Sequence, residues 1–393
     1  MDVCTGCELV VHYQALPKPN VSTAGISLMQ ALEHIDDPRS PSNGTRHDFR
    51  ELLVVAICAM LSDNDTFEEM VAWARYKQDW LRGFLKLANG IPSEDTFIRV
   101  FRMLDPKQFE QAFRDWAGNI LPALSHETLA IDGKTLRGSG SGGERAIHMV
   151  SAFATQAGLV LGQEKVHDKS NEITAIPILL ESLYLKGLLV SIDAMGCQRD
   201  IAAQIHQQGG DYLLAVKGNQ PSLQKAVEAA VIELGEAAVP WPMVEDRHGR
   251  KVVQTARVIP AAGHIDTTDW PACKSIGVID SWRKVGDKPA QWERRYYISS
   301  RDLDGEALGR AVRAHWGIEN RLHWVLDVGF GEDASTVRKD YAPQNLSLLK
   351  KMVLNLVRPV PMGKNGKMSL RMKRKATAWS DEERVRVLGL EPI

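Results

Sequence analysis

Three carboxylates stand where this sequence could do chemistry: Asp132, Asp193 and Glu319. Asp132 ends the apolar run of Leu129-Ala-Ile-Asp-Gly-Lys-Thr-Leu-Arg137, and Asp193 ends that of Leu188-Leu-Val-Ser-Ile-Asp-Ala194. Each reads as a buried strand that delivers an acid at its end. A carboxylate there is desolvated unless a cation meets it. Lys134 and Arg137 could serve as that cation within a strand-end turn, and so could a metal ion. The third acid lies in Arg313-Ala-His-Trp-Gly-Ile-Glu-Asn-Arg-Leu-His-Trp-Val-Leu-Asp327, where helical spacing puts His315, Glu319, His323 and Asp327 on one stripe. Converging carboxylates suit Mg²⁺ or Mn²⁺, hard cations that prefer oxygen. Two such ions about 4 Å apart serve in-line displacement at a phosphodiester. Two other readings stay open: a zinc-type cluster of His315, Glu319 and His323, and a stripe that only pairs with nearby arginines.

The elements that must position these residues follow from periodicity. Pro17, Pro19, Pro38 and Pro41 break the first stretch, beyond a helix expected at Ser27–His34. Helices are then expected from His47 to Met60, Thr66 to Tyr76 and Trp80 to Leu87. Another opens at Ser93-Glu-Asp-Thr96 and carries Arg99 and Arg102, and a last one follows Asp105-Pro106. From Glu127 the period becomes that of strands: Thr128–Asp132, Ile147–Thr155 and Leu159–Val166. A helix (Glu172–Leu185), a strand (Leu188–Asp193), a helix (Gln198–Gln208) and a strand (Tyr212–Val216) come next. This order matches an α/β, ribonuclease-H-like core, in which the ends of the first and fourth strands are neighbours. A helix at Ser222–Leu234 and strands at Val252–Ile259, Ser275–Asp280 and Trp292–Ser299 form a mostly β insertion before the late helix, Leu308 to Leu326. The expected division is an extension at 1–26, a helical unit at 27–120, a core at 127–220 and 303–358, an insertion at 221–302 and a basic tail at 359–393.

Composition narrows the classes. No apolar run approaches the ~20 residues of a membrane span, and the N-terminus lacks the pattern of a secretion signal. The five cysteines are scattered, as in a reducing cytoplasm, and Cys4 and Cys7 form a lone CxxC without zinc-ligand partners. Formal charge is −1, yet Tyr341 to Ser380 contains no acid, while Lys350, Lys351, Arg358, Lys364, Lys367, Arg371, Lys373, Arg374 and Lys375 fall inside. Such a segment is expected to contact DNA. Further candidates are Lys217 and Asn219 for a phosphate, Trp316 and Trp324 for stacking on an unpaired base, Glu172 as an accessory acid, and the His248-Gly-Arg250 turn. Arg99 and Arg102 suit either a DNA groove or a solvated face.

Ala130-Ile-Asp-Gly-Lys-Thr-Leu-Arg-Gly138, Ser191-Ile-Asp-Ala194, Ala215-Val-Lys-Gly-Asn-Gln220 and His315-Trp-Gly-Ile-Glu-Asn-Arg-Leu-His-Trp324 resemble the DDE transposases of bacterial insertion sequences. More narrowly they resemble the ISAs-type family, which includes the proteins associated with H repeats. The resemblance runs from about Ser27 to Leu390 and takes in Asp37-Pro-Arg39 and Ile91-Pro-Ser-Glu-Asp-Thr-Phe97. It implies that Asp132, Asp193 and Glu319 are a catalytic triad holding Mg²⁺ or Mn²⁺, two ions per site. It also implies strand cleavage and transfer on double-stranded DNA by a protein acting as a homodimer in the bacterial cytoplasm, at the nucleoid. The wider group carries a tyrosine, an arginine and a lysine at fixed spacing around its glutamate. Here those positions are Val312, His315 and Leu326, so Arg313, His315, Arg321 and His323 become the candidate substitutes. An inactive DNA-binding remnant and a metal-dependent nuclease are the alternatives.

Overall fold

The computed structural model describes residues 28–40, 45–117, 127–140, 145–167, 171–234, 237–247 and 250–389. The extension at 1–26, with Cys4 and Cys7, and positions 248–249 of the expected insertion turn lie outside the described residues.

One nine-stranded mixed sheet organises the chain, in the order β3-β2-β1-β4-β5-β9-β8-β7-β6. Its first five strands are β1 (Thr128–Thr135), β2 (His148–Ala154), β3 (Leu159–Lys165), β4 (Leu189–Ile192) and β5 (Asp211–Val216). They form an antiparallel meander extended by two parallel strands, the ribonuclease-H-like order, with crossovers through α7 (Glu172–Glu181) and α8 (Arg199–Gln207). After α9 (Pro221–Leu234) come β6 (Trp241–Arg247), β7 (Arg250–Pro260), β8 (Ser275–Val285) and β9 (Gln291–Ser299). These strands continue the same sheet, because β9 pairs antiparallel with β5. The strand β6, with Pro240 before it and Pro242 within it, is largely exposed and is not among the expected strands; it sits at the sheet edge, where proline is tolerated.

Alternation along β1 sends Leu129 and Ile131 into one core and Ala130 into another on the opposite face. The first core is covered by α7, α8 and α9. The second is shared with α2 (Phe49–Leu61), α3 (Phe67–Tyr76), α5 (Glu94–Met103) and α6 (Pro106–Ala117), which follow the short α1 (Leu28–Leu32). Asp48 caps α2 at the amides of Arg50 and Glu51, and Thr66 with Glu69 forms a capping box on α3. The helix expected at Trp80–Leu87 is only α4, Gln78–Leu81. Beyond it, the Glu51 carboxylate takes the amides of Lys86 and Leu87, holding that backbone in a turn instead.

The late helix is broken. α10 (Gly305–Ile318) and α11 (Trp324–Phe330) flank a π-helical turn at Glu319–His323. Such turns occur often at functional positions. Behind them α12 (Ala342–Val357) is buried on every side, between the N-terminal helices and β3. Its Asn345 donates to the carbonyls of Phe101 and Leu104, and its Asn355 pairs with both backbone groups of Val160.

The basic tail folds as α13 (Leu370–Trp379) and α14 (Asp381–Leu388) against the N-terminal helices. The acids that meet α13 come from elsewhere in the chain. Arg374 is fully buried, bonds Asp65 at 2.5 Å and the Met60 carbonyl at 2.8 Å, and lies 4.0 Å over the Phe330 ring. Lys373 donates to the carbonyls of Arg358 and Val360 near the end of α12, and Lys375 meets Asp63. Arg384 stacks on Trp73 and Trp80. Lys373 and Arg374 are therefore structural cations rather than the DNA contacts expected of them. Arg371, Lys364 and Lys367 stay exposed. Replacing Arg374 by alanine strands Asp65, so urea denaturation should show a loss of about 3 kcal/mol. The exposed Arg371→Ala should stay within about 0.5 kcal/mol of the parent. Equal effects would contradict this account of the tail.

Candidate active site

The parallel register of β1 and β4 runs from Thr128↔Leu189 to Ile131↔Ile192. Asp132 and Asp193 are the next residue on each strand, so both acids emerge side by side at the end of the parallel ladder. Asp193 is fixed there by a turn in which its Oδ1 accepts from the amides of Met195 (3.0 Å) and Gly196 (3.4 Å). Glu319 begins the π-helical turn and lines the same cleft as both aspartates. The other walls are His315 and Trp316 of α10, Lys217 beyond β5, and Glu293 to Tyr297 of β9.

The stripe expected on the late helix does face β1 and β4. His315 lines the cleft with Asp193, His323 Nδ1 lies 3.6 Å from Asp132, and Asp327 pairs with Lys134 at 2.7 Å. Burial lowers the His315 pKa against the pull of Asp193. Burial, with Lys351 and Lys134 nearby, pushes His323 down to about 4, so it is a neutral imidazole at pH 7. The Asp132 carboxyl is pushed up to about 7, first by burial and then by repulsion from Glu172, Asp193 and Glu319; the Gly133 amide works the other way. That mutual repulsion is the electrostatic signature of the site.

Among the described residues no three His, Cys, Asp or Glu side chains converge as a ready-made metal cluster, and this holds for the zinc-type trio as for the acids. The donor chemistry nevertheless fits a hard divalent cation. Carboxylates that repel one another share an open cleft, and the Nδ1 of His315 on its wall is buried without a hydrogen-bond partner.

Several expected DNA contacts are committed elsewhere. Lys134 is largely buried and holds Asp327, Glu332 and Asp333 at 2.7, 3.0 and 3.0 Å. Lys350 and Lys351 are each 2% exposed, and with Lys134 they keep the buried Glu332 below the usual carboxylate range despite its burial. Lys351 also bonds Ser151 and Gln163. These three lysines neutralise an interior acid, so they are not surface cations. Arg321 donates to the Thr155 carbonyl and lies over Phe153. Arg313 meets Glu245 at 3.1 Å, and Arg102 meets Asp340 at 2.6 Å, whereas Arg99 is exposed. Arg137 and Lys217 are exposed, and Asn219 braces the Ala194 carbonyl beside Asp193. Trp316 and Trp324 are 39% and 59% exposed.

Sequence reasoning missed the β9 wall. Arg295 sits 4.5 Å over the Trp316 ring, and Arg294 lies over Trp292 while pairing with Asp280. The run Glu293-Arg-Arg-Tyr-Tyr297 on a strand was the available signal; its place in an insertion hid that the sheet carries it back to the cleft.

The family described as "Transposase DDE domain" matches residues 123–356, and "DDE_Tnp_1-associated" matches residues 29–117. The chain is 41% identical to "Putative transposase YncI" of Escherichia coli O157:H7, over 90% of this chain and 92% of that one. It is 38% identical to "H repeat-associated putative transposase YhhI" of Escherichia coli (strain K12), over 84% and 90%. A cryo-EM structure of a piggyBac transposase synaptic complex with hairpin DNA aligns over 89% of this chain and 75% of its own, at 12% identity and a TM-score of 0.42. The fold assignment rests on the strand order and not on that likeness. With the greater part of its length matched by the family's domain, the chain belongs to the DDE transposases.

Proposed function

We propose that this protein cuts DNA at the ends of an insertion sequence and joins the freed 3′ ends to a target. The observation that carries the reading is the meeting of Asp132, Asp193 and Glu319 on one cleft, each inside a motif of the family's type. The reaction is two in-line displacements. Water attacks a phosphodiester and releases a 3′-hydroxyl. That hydroxyl then attacks a target phosphodiester and releases a 3′-hydroxyl of the target strand. Asp132, Asp193 and Glu319 would hold two divalent cations, which when bound supply Lewis-acid stabilisation of the attacking and leaving oxygens.

The chain's own residues do the rest. Asp132, buried and repelled by the acids around it, gains from a neighbouring positive charge. His323, neutral and packed against Asp132, limits solvent there without adding a competing charge. Lys217 and Arg137 offer exposed cations to the DNA backbone. The Arg295–Trp316 pair offers a flat face to an unstacked base beside the cut. Two copies would act together on DNA, because two ends must be held for one joining event.

In an assay with DNA carrying the element's ends, Asp193→Asn or Glu319→Gln should lower cleavage and joining at least about 10³-fold while DNA binding persists. Cleavage that survives in either variant would remove that residue from the set. Cleavage without joining in the parent protein would favour the nuclease reading, and binding without cleavage the inactive remnant.

A second expectation concerns pH. Asp132 has a folded pKa raised above its unfolded value of about 4. Its ionisation therefore costs stability progressively as pH rises from about 4 through about 7, because the folded state binds the extra proton. Without divalent cations, Asp132→Asn should melt higher than the parent at pH 8, and the gap should close near pH 4. Adding Mg²⁺ at pH 8 should raise the parent's melting temperature and leave the variant's nearly unchanged. A gap independent of pH would contradict the repulsion at Asp132.

A further inference from the structure

Glu172 approaches β1 from the face of the sheet opposite the late helix. It opens α7, with Asn171 capping the helix at the amide of Ile173. Its Oε1 lies 2.6 Å from His148 Nε2, and His148 Nδ1 lies 2.9 Å from Thr135 Oγ1. Thr135 and His148 face each other across the β1–β2 ladder. With the threonine hydroxyl donating to Nδ1, Nε2–H donates to Glu172, so this brace holds the carboxylate in a fixed orientation.

The brace sits directly over Gly133, the residue after Asp132. A Cβ on Gly133 would stand 2.1 Å from Glu172 Oε1 and 2.4 Å from His148 Nε2. A side chain there would push the brace aside, so the bare glycine leaves room for an acid from α7 over β1, one residue from Asp132, whose carboxyl it repels. A glutamate at a helix start needs no such opening to complement the dipole. Its side chain is only 16% exposed, which is costly for a carboxylate unless positive charge meets it.

We propose that Glu172, braced by His148, is a fourth acid of the divalent-cation site. It adds an oxygen donor, directly or through a cation-bound water, from the α7 side of Asp132. This rests on the metal-dependent reading above and specifies which further residue that site uses.

The test is calorimetric titration of Mn²⁺ into the full-length protein, without DNA, for the parent, Glu172→Gln and Asp193→Asn. The amide that Glu172→Gln introduces would keep an acceptor for His148 and lose only the charge, so the metal-free fold should be retained, checked by thermal melting. Weakening of Mn²⁺ binding by about 10-fold or more in Glu172→Gln is the expected result. Parent-like affinity in Glu172→Gln, with affinity lost in Asp193→Asn, would overturn the role of Glu172 and leave the metal site standing. Parent-like affinity in both variants, or no binding by the parent, would overturn the metal site and the role of Glu172 together.

Discussion

Everything about this site depends on the parallel pairing of β1 with β4, which sets two aspartates side by side at the end of one ladder. Like charges at that separation oppose each other, and burial on both faces of the sheet deepens the cost. The protein does not relieve the repulsion with a lysine, although Lys134 is only two residues away. Lys134 points past Asp132 to Asp327, Glu332 and Asp333 instead. Among the described residues no lysine or arginine pairs with Asp132, Asp193 or Glu319, while Asp327, Glu332 and Asp333 behind them gather on Lys134. That division of charge separates a site from a structural ion-pair network.

The structural network explains how the site is held. Glu332 lies just beyond α11, and the lysines of α12 and β1 gather on it. Arg374 ties the tail to Asp65 of the N-terminal helices and, through the Gly329 carbonyl, to the end of α11. The helical segment that carries Glu319 is thus fixed by α13 and by the connection between α2 and α3 as well as by the sheet. A π-helical turn at Glu319 then sets the direction of one acid without requiring the whole helix to rotate.

Much of this is legible in the sequence. The strands β1 to β5 and their order follow from alternation and apolar runs, and the order alone places Asp132 beside Asp193. The stripe from His315 to Asp327 is readable because its members recur at four. The tail misleads because a segment without acids reads as unpaired; Asp63, Asp65 and Glu332 lie far away in sequence and next to it in space. The same distance hides the burial of α12, whose Lys350 and Lys351 look exposed until Glu332 is placed. The β9 wall is hidden because an insertion in sequence need not be separate in the fold. Glu172 looks like an ordinary helix start, and only the closeness of its carboxylate to Gly133 distinguishes it.

The most direct test is a crystal structure of the protein with Mn²⁺ and DNA carrying an element end, with the manganese located by anomalous scattering. The account predicts manganese between Asp132 and Asp193, with Glu319 bound to the same ion or to a second one, and a phosphodiester of the DNA in contact. Manganese absent from this cleft, or a DNA end seated away from it, would contradict the central claim.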